Sequence, residues 1–488
     1  MVGLIAIIHK RGVSDMGKKE NKYSQLLCVD RLRTSSIKRG SKIDEFYSDR
    51  SRIIYSSSFR RLLQKAQVFS LEPNASVRTR LTHSLEVSDI GRTLSNQIAS
   101  RLYAERKLDA DQMQEIVAVV ENACLLHDIG NPPFGHFGEI AIRDWAKNKA
   151  IEAIPEGISK KDKLLNKLME DFYEFDGNPQ GFRTITKLHT DYDQYSLNLT
   201  YATLLCALKY SRVAGEPPKS EITKKAGCFL SEKDIFEDIC NTVGIELHHR
   251  YPLTYIMEAA DDIAYCMSDI ADGIEKRILN EDIFIKEFLS EWDKAYPRET
   301  IQDILPKNDK VSFGRDISVP WSRKAVSETV ENYFERENDI LNGVADSLIN
   351  RNKPMGRVLE TIKKVSRRIL YSSFDAENIE LTGYAVITGI LRHYERLLSL
   401  SNDEFLKLVN GEKTANLDVE RRLFNRLGHR YVSAYTYALE GLKKENHEYA
   451  IQEWWLRVHL LLDHVSGMTD EYALETYQML EGIKLMHK

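Results

Sequence analysis

The sequence lacks several features that mark other classes of protein. It has no run of 18 apolar residues, so a transmembrane helix is not expected. None of its six cysteines stands in a C-x-x-C pair. This absence argues against a zinc–cysteine site and favours free thiols in a reducing compartment, and we expect a cytoplasmic protein. The opening MVGLIAIIHKRG has no basic segment before its short apolar run, so a signal peptide is not expected.

Neither sign of charge is in excess. Lys plus Arg number 68 and Asp plus Glu number 73, which gives a net charge of −5. The whole molecule is therefore not built to hold nucleic acid by net charge, although local basic clusters can still bind phosphates. Hydrophobic residues make up 42% and charged residues 29%, as is usual for a globular protein. Strand signals are few and helical periodicity recurs, so we predict a mostly α fold.

Changes in this pattern divide the chain of 488 residues. We predict a partly flexible N-terminal arm over 1–43, and a true start at Met16 instead of Met1 stays open. A helical catalytic core is predicted over 44–285, a connector over 286–325, and a helical region packed on the core over 326–488.

The stretch ENACLLHDIGNPPFGHFGE, residues 121–139, is the most informative. The preceding residues 118–126 are apolar enough for a buried helix, which would deliver His127 and Asp128 at its C-terminal end. An imidazole beside a carboxylate can hold one divalent cation if the backbone is rigid. The alternative is a polar helix end that bonds to nearby backbone.

The same stretch predicts a reversal of the chain. Gly130 can terminate the helix, and the following Asn-Pro-Pro cannot continue it. A new helix that begins near Phe134 would place His136 and Glu139 one above the other, three residues apart.

A second histidine precedes this stretch. In residues 76–98, His83 stands near the start of an amphipathic helix, after Arg78 and Arg80. A histidine in that place can also be a cap or a surface residue, so its value as a ligand depends on the other candidates.

A third helix, predicted over 252–274, carries acidic residues among apolar ones. Asp261, Tyr265 and Asp269 recur at i, i+4 and i+8 on one stripe. Carboxylates in a buried helix are costly unless they meet a cation or a donor. Asp261 and Asp262 are therefore candidate ligands.

Three other stretches carry simpler predictions. Helical structure is expected to begin near Asp44, with Arg60, Arg61 and Lys65 at the solvated edge of its apolar face. Residues 198–212 are expected to form one buried helix, and 146–190 an excursion from the core because of their charge, glycine and proline.

These residues suggest metal-assisted phosphoester hydrolysis. The candidate ligand set is His83, His127, Asp128 and Asp261. Mixed nitrogen and oxygen donors suit Mn²⁺, Mg²⁺ or Fe²⁺, and Zn²⁺ less well. Such an ion makes bound water more acidic and neutralises charge on a phosphoryl oxygen. His136, with Glu139 fixing its tautomer, could take or deliver the proton.

The ligand order resembles that of the HD-domain metal phosphohydrolases. Longer runs, spread over about residues 45–475, resemble the bacterial deoxyguanosine triphosphate triphosphohydrolase (dGTPase) family: DRSRIIYSSSFRRLLQKAQVF, RTRLTHSLEV, HDIGNPPFGHFGE, NLTYATL, MEAADDIAY and GMTDEYA. The resemblance implies an HD-type helical core with additional C-terminal helices. It also implies cleavage between the α-phosphate and the 5′ oxygen, which gives a deoxynucleoside and inorganic tripolyphosphate.

The resemblance assigns roles residue by residue. Its metal ligands fall on His83, His127, Asp128 and Asp261, and its catalytic pair on His136 and Glu139. Its substrate contacts fall on Gln67, Arg80, Lys209, Tyr210, Tyr265 and Asp269. Members of the family form homo-oligomers, often hexamers, and some bind single-stranded DNA as an effector.

Two alternatives remain open at this point. One is an HD-type phosphodiesterase or nucleotide phosphatase, which would share the metal set. The other is a helical regulator that binds nucleotide or DNA without chemistry. The sequence leaves open the preferred base, the physiological metal, the oligomer number and activation by nucleotide or DNA.

Overall fold

A computed structural model describes the chain over most of its length. It covers residues 22–301, 304–307, 310–412, 415–444 and 448–485. Residues 1–21, with the choice between Met1 and Met16 and most of the predicted arm, lie outside the described residues.

Helices build the first half of the described chain. They are α1 Lys22–Leu26, α2 Lys42–Tyr55, α3 Ser57–Arg61, α4 Arg80–Ala104, α5 Ala110–Leu126, α6 Gly135–Asn148, α7 Lys163–Leu168, α8 Glu170–Tyr173, α9 Gly177–Arg183, α10 Tyr201–Cys206, α11 Lys233–Val243 and α12 Thr254–Glu275. Short 3₁₀ turns lie at Leu62–Gln64, Ala150–Ala153, Glu221–Thr223 and Leu230–Glu232, and a π turn at Thr184–Leu188.

Helices also build the second half. They are α13 Glu281–Ala295, α14 Val319–Glu335, α15 Glu337–Leu341, α16 Pro354–Ile369, α17 Phe374–Leu398, α18 Asn402–Val409, α19 Asp418–Phe424, α20 His429–Glu440, α21 Tyr449–Ser466 and α22 Asp470–Leu480, with a π turn at Phe313–Ser318. In the part of the chain that the structure describes, extended pairing is confined to isolated bridges, one of them between Ala66 and Thr79. The predicted mostly α fold is confirmed.

Two large apolar cores meet at the informative stretch. The first core joins α4, α5 and α12, and the second joins α6, α17 and α21. Ile129 packs into the first core and Phe134 into the second. The turn between α5 and α6 therefore lies where the two cores adjoin.

The helices that carry the predicted ligands begin and approach one another for local reasons. Thr79 caps α4 and Asp109 caps α5, each through its side chain, which satisfies amide groups of the first turn. Gly91 of α4 lies against Cys124 of α5, where a Cβ atom would overlap the cysteine sulfur. This contact lets two helices that carry candidate ligands pack closely.

Some boundaries differ from those predicted. The helix expected over 198–212 ends at Cys206, so Lys209 and Tyr210 lie beyond it on an irregular segment. The predicted connector, 286–325, contains the end of α13 and the start of α14. The domain division at 285/286 and 325/326 stays a prediction. Among the described residues, no helix combines the length and apolar character that crossing a bilayer needs.

Candidate metal centre and active site

Four side chains from three helices converge at one point. His83 lies on α4, His127 caps the end of α5, Asp128 follows it, and Asp261 lies on α12. One ligand atom from each of His83, His127 and Asp128 lies within 4.8 Å of the others. Asp261 Oδ1 lies 3.3 Å from His83 Nε2 and 3.6 Å from His127 Nε2. The structure therefore brings together the four residues predicted from the sequence.

The orientation of His127 is set by the last turn of α5. Its Nδ1 donates a hydrogen bond to the carbonyl oxygen of Cys124 at 2.7 Å, which leaves Nε2 with a lone pair. That Nε2 atom is buried and has no hydrogen-bond partner. A buried polar atom without a partner is costly, so Nε2 is placed for a ligand.

Asp128 is held through one oxygen and presents the other. Oδ1 accepts from Arg80 Nη1 and from Asn131 Nδ2, both at 2.8 Å. Oδ2 is buried and unpartnered. Burial alone would raise the pKa of this carboxyl, but the Arg80 guanidinium and His127 hold the pKa below its usual value. The group is therefore a carboxylate at neutral pH.

Asp261 is kept ionised in the same way. Burial would raise its pKa, but the Lys209 ammonium, with Nζ 3.3 Å from Oδ2, and the two histidines hold the pKa well below its usual range. The neighbouring Asp262 points elsewhere, because its Oδ1 accepts from Lys363 Nζ at 2.8 Å. Of the two adjacent acids, Asp261 is the one that faces the cluster.

This donor set fits a divalent cation. Two imidazoles and two carboxylates offer borderline nitrogen and hard oxygen donors around one point. The unpartnered atoms of His127 and Asp128 are both buried there. A cation would satisfy them and offset the negative charge that the two carboxylates bring together.

The turn after Asp128 is fixed by contact between backbones. Gly130 has φ of +107°, and a Cβ atom there would overlap the amide nitrogen of Gly181 on α9. A Cβ atom at Gly181 would overlap the carbonyl oxygen of Ile129. Phe134, which precedes α6, is also left-handed, with φ of +60°. The reversal predicted from Gly130 and the two prolines is confirmed.

His136 and Glu139 pair across the first turn of α6, as predicted. His136 Nδ1 lies 3.0 Å from Glu139 Oε2, and Glu139 Oε1 accepts from the Gly177 amide at 2.8 Å. Glu139 is buried, whereas the side chain of His136 is 67% exposed. A buried carboxylate thus orients an imidazole whose other nitrogen is free to face a reactant.

A polar cavity of about 270 Å³ opens beside the four converging side chains. Its lining includes predicted residues, namely Arg80, His127, Asp128, His136, Glu139, Lys209, Tyr210 and Asp261. It also includes residues that the sequence did not single out: Asn131, Asp176, Gly177, Asn178, Ala207, Lys225 and Met257. With Arg80, Lys209 and Lys225 on its walls, the cavity suits a polyanionic ligand.

Three predicted substrate contacts lie outside the lining of this cavity: Gln67, Tyr265 and Asp269. Tyr371 hydrogen-bonds to both Tyr265 and Asp269. Burial raises the pKa of Asp269 to about 7. Tyr265, Asp269 and Tyr371 therefore form a polar cluster at α12, apart from Gln67, and Tyr371 is a member that the sequence did not reveal.

One expectation about the cavity wall is wrong. Residues 146–190 were expected to leave the core, yet most of α9 is buried and its first residues line the cavity. The glycines that suggested a loop are instead needed where α9 meets the turn after Asp128. Lys225 lies on an irregular segment without periodicity, so no local signal marks it.

Comparison with known proteins assigns the chain to a family. The model of the family described as "HD domain" matches residues 80–209. A deoxyguanosinetriphosphate triphosphohydrolase from Enterobacter sp. is 36% identical over 480 residues, which cover 90% of this chain and 94% of the relative. Proteins of the same name from Klebsiella pneumoniae and Cronobacter sakazakii are each 35% identical over 479 residues, with the same coverage. The chain therefore belongs to the deoxyguanosinetriphosphate triphosphohydrolase family and carries its HD domain within residues 80–209.

Proposed function

We propose that this protein hydrolyses dGTP to deoxyguanosine and inorganic tripolyphosphate, with water attacking the α-phosphate. The observation that carries the proposal is the convergence of two histidines and two aspartates beside a polar cavity whose lining includes Arg80, Lys209 and Lys225. The similarity over 90% of the chain to relatives named for this reaction supports the choice of substrate.

The ligand roles in this proposal fall on His83, His127, Asp128 and Asp261. A divalent cation bound there, Mn²⁺ or Mg²⁺ on the donor chemistry, would acidify water and neutralise charge on the α-phosphate. Arg80 and Lys209 already contact the two carboxylates. Their cationic groups therefore lie beside the cluster on the wall of the cavity.

The basic residues of the cavity wall bind the triphosphate in this scheme. Lys225 Nζ contacts Asp176 at 2.5 Å and lies on the same cavity as Lys209 and Tyr210. Ammonium, guanidinium and hydroxyl groups match the oxygens of a phosphate chain. The triphosphate would thus be held on the side of the cavity that carries these groups.

Proton transfer is the role proposed for His136. In this hydrolysis water loses a proton and the departing 5′ oxygen gains one. In this proposal the exposed imidazole, oriented by buried Glu139, takes or delivers that proton.

Incubating the wild-type protein with dGTP and Mn²⁺, followed by phosphorus NMR, tests the reaction. We expect the resonances of inorganic tripolyphosphate, because the attack breaks the bond between the α-phosphate and the 5′ oxygen. Pyrophosphate or orthophosphate as the first product would instead indicate a phosphodiesterase or phosphatase. Binding of dGTP without turnover would indicate the regulator.

The cluster of Tyr265, Asp269 and Tyr371 is proposed to contact the sugar. A tyrosine ring packed against C2′ would leave no room for a ribose hydroxyl. Replacing Tyr265 by Ala should therefore lower the ratio of kcat/KM for dGTP to that for GTP, by about 10-fold. The exposed Tyr192, replaced by Ala, is the control. An unchanged ratio in Tyr265→Ala would refute the sugar contact.

Other expectations remain proposals. All six cysteines are free thiols, which supports a reducing compartment such as the cytoplasm. The homo-oligomer and the single-stranded DNA effector implied by the family resemblance are carried forward as predictions. A turnover panel with the four deoxynucleotides, alone and in pairs, addresses base preference and activation.

A further inference from the structure

We propose that Asp470 is a positioning residue for catalysis, which fixes both the segment that carries Gln67 and the turn that leads to His136. The residue belongs to the run GMTDEYA, none of whose residues lines the cavity or belongs to the candidate ligand set described above. The inference rests on the proposed function, because it takes Gln67 as a substrate contact and His136 as the proton-transfer group.

Asp470 divides its two oxygens between two distant segments. Oδ1 accepts a hydrogen bond from the Phe134 amide, and Oδ2 accepts one from the Ala66 amide, both at 3.0 Å. The carboxylate is buried, with 3% of the residue exposed. Ala66 directly precedes Gln67, and Phe134 stands two residues before His136. One side chain therefore sets the position of both.

Lys65 makes further hydrogen bonds between the segment that carries Gln67, the turn before His136 and the end of α21. Its Nζ donates to the carbonyl oxygens of Asn131 and Ser466, at 2.5 and 2.7 Å. Its own carbonyl oxygen accepts from the Arg80 amide at 2.9 Å. The expectation that Lys65 lies at a solvated helix edge is wrong, since only 5% of the residue is exposed.

The hydrogen bonds to Asp470 stabilise two backbone segments that lie outside the regular helices. Phe134 is left-handed at φ of +60°, a conformation that costs energy for a residue with a Cβ atom. The Phe134 amide lies just before α6, and the Ala66 amide lies between the 3₁₀ turn at Leu62–Gln64 and α4. Neither amide is therefore part of a regular helix. Without the carboxylate, two amide groups near the cavity would lose their acceptor, and the turn could relax.

The ligand cluster makes no direct contact with Asp470. His83, His127 and Asp261 lie on or at the ends of α4, α5 and α12, and Asp128 is held by Arg80 and Asn131. Among the described residues, none of the four shares a hydrogen bond or ion pair with Asp470. Loss of Asp470 should therefore displace Gln67 and His136 while the metal remains bound. A residue that only stabilised the fold would not produce this separation.

Asp470→Asn tests the proposal, with Glu471→Gln as the matched control. Both variants turn a carboxylate into an amide in the first turn of α22, but Glu471 is exposed, and its side chain has no hydrogen bond or ion pair with any residue that the structure describes. Asparagine replaces one of the two acceptor oxygens by an NH2 donor, so one of the two backbone amides faces a donor in place of its acceptor. We expect Asp470→Asn to lower kcat/KM for dGTP by about 10- to 10²-fold, the cost of a small misplacement of reacting groups.

The expected result separates into several measurements. In Asp470→Asn, kcat should fall and KM should rise, while bound metal and the far-ultraviolet circular dichroism match those of Glu471→Gln. Hydrogen–deuterium exchange should increase in peptides that contain residues 64–69 and 129–137. Wild-type values of kcat, KM and exchange in a folded Asp470→Asn chain would overturn the proposal.

A second variant covers a failure of the first to fold. Lys65→Met keeps the length of the side chain but removes both bonds to carbonyl oxygens, and we expect the same loss of kcat and the same increase in exchange. If this variant folds and retains wild-type kcat and exchange, the proposal is wrong. If wild-type protein fails to turn over dGTP, the proposed function fails, and the exchange comparison still decides whether Asp470 holds the two segments.

Discussion

Replacing Asp261 by asparagine is expected to deplete the bound divalent metal and to remove most of the turnover of dGTP. The substitution takes a charge from the centre, where Asp261 Oδ1 lies within 3.6 Å of both histidines. Loss of a residue that merely supports a ligand costs metal affinity by about 10- to 10²-fold, and loss of a ligand should exceed this. The measurement is metal content after dialysis, alongside kcat.

The neighbouring acid provides the control. Asp262→Asn removes the same charge one residue along α12, but Asp262 pairs with Lys363 and faces away from the histidines. This variant should retain its metal. Equal metal content in wild type and Asp261→Asn, with depletion in Asp262→Asn, would transfer the ligand role to Asp262.

Replacing His136 by alanine is expected to lower kcat by about 10²- to 10⁴-fold, the span typical of acid–base groups. Bound metal should be unchanged, because His136 lies on α6 and pairs with Glu139, outside the four converging side chains. This split between turnover and metal content distinguishes His136 from His127, whose loss should lower both.

A second histidine, which also lies near a glutamate three residues away, serves as the comparison. His249 Nδ1 lies 3.6 Å from Glu246 Oε2, three residues away, and His249 is outside the catalytic cavity. His249→Ala should keep wild-type turnover. If His136→Ala does so as well, the proton-transfer role belongs to another group.

The parts of the site that could be predicted lie on strongly periodic helices. Apolar spacing reveals α4, α5 and α12, and a polar residue on such a helix is conspicuous because burial makes it costly. This is why His83, His127 and Asp261 could be placed before the fold was known. The two prolines after Gly130 located the reversal for an equally local reason.

The parts that could not be predicted depend on partners far along the chain. From the sequence, Lys65 resembles a surface lysine. Its partners are the backbone carbonyl groups of Asn131 and Ser466, and every residue has such a group, so the sequence does not identify them. Lys225 reaches the cavity from an irregular segment, and Asn178 reaches it from the first turn of the short helix α9. Tertiary contact, and not local pattern, decides where each of these side chains lies.

The bond between Lys65 and Ser466 joins positions 401 residues apart. During synthesis, a nascent polypeptide already holds His83, His127, Asp128 and Asp261 long before the ribosome reaches the serine. We expect such an unfinished chain to turn over deoxynucleotide more slowly than the finished one, since the turn that leads to His136 is not yet tethered. The full rate would then be reached only once the last helices have docked.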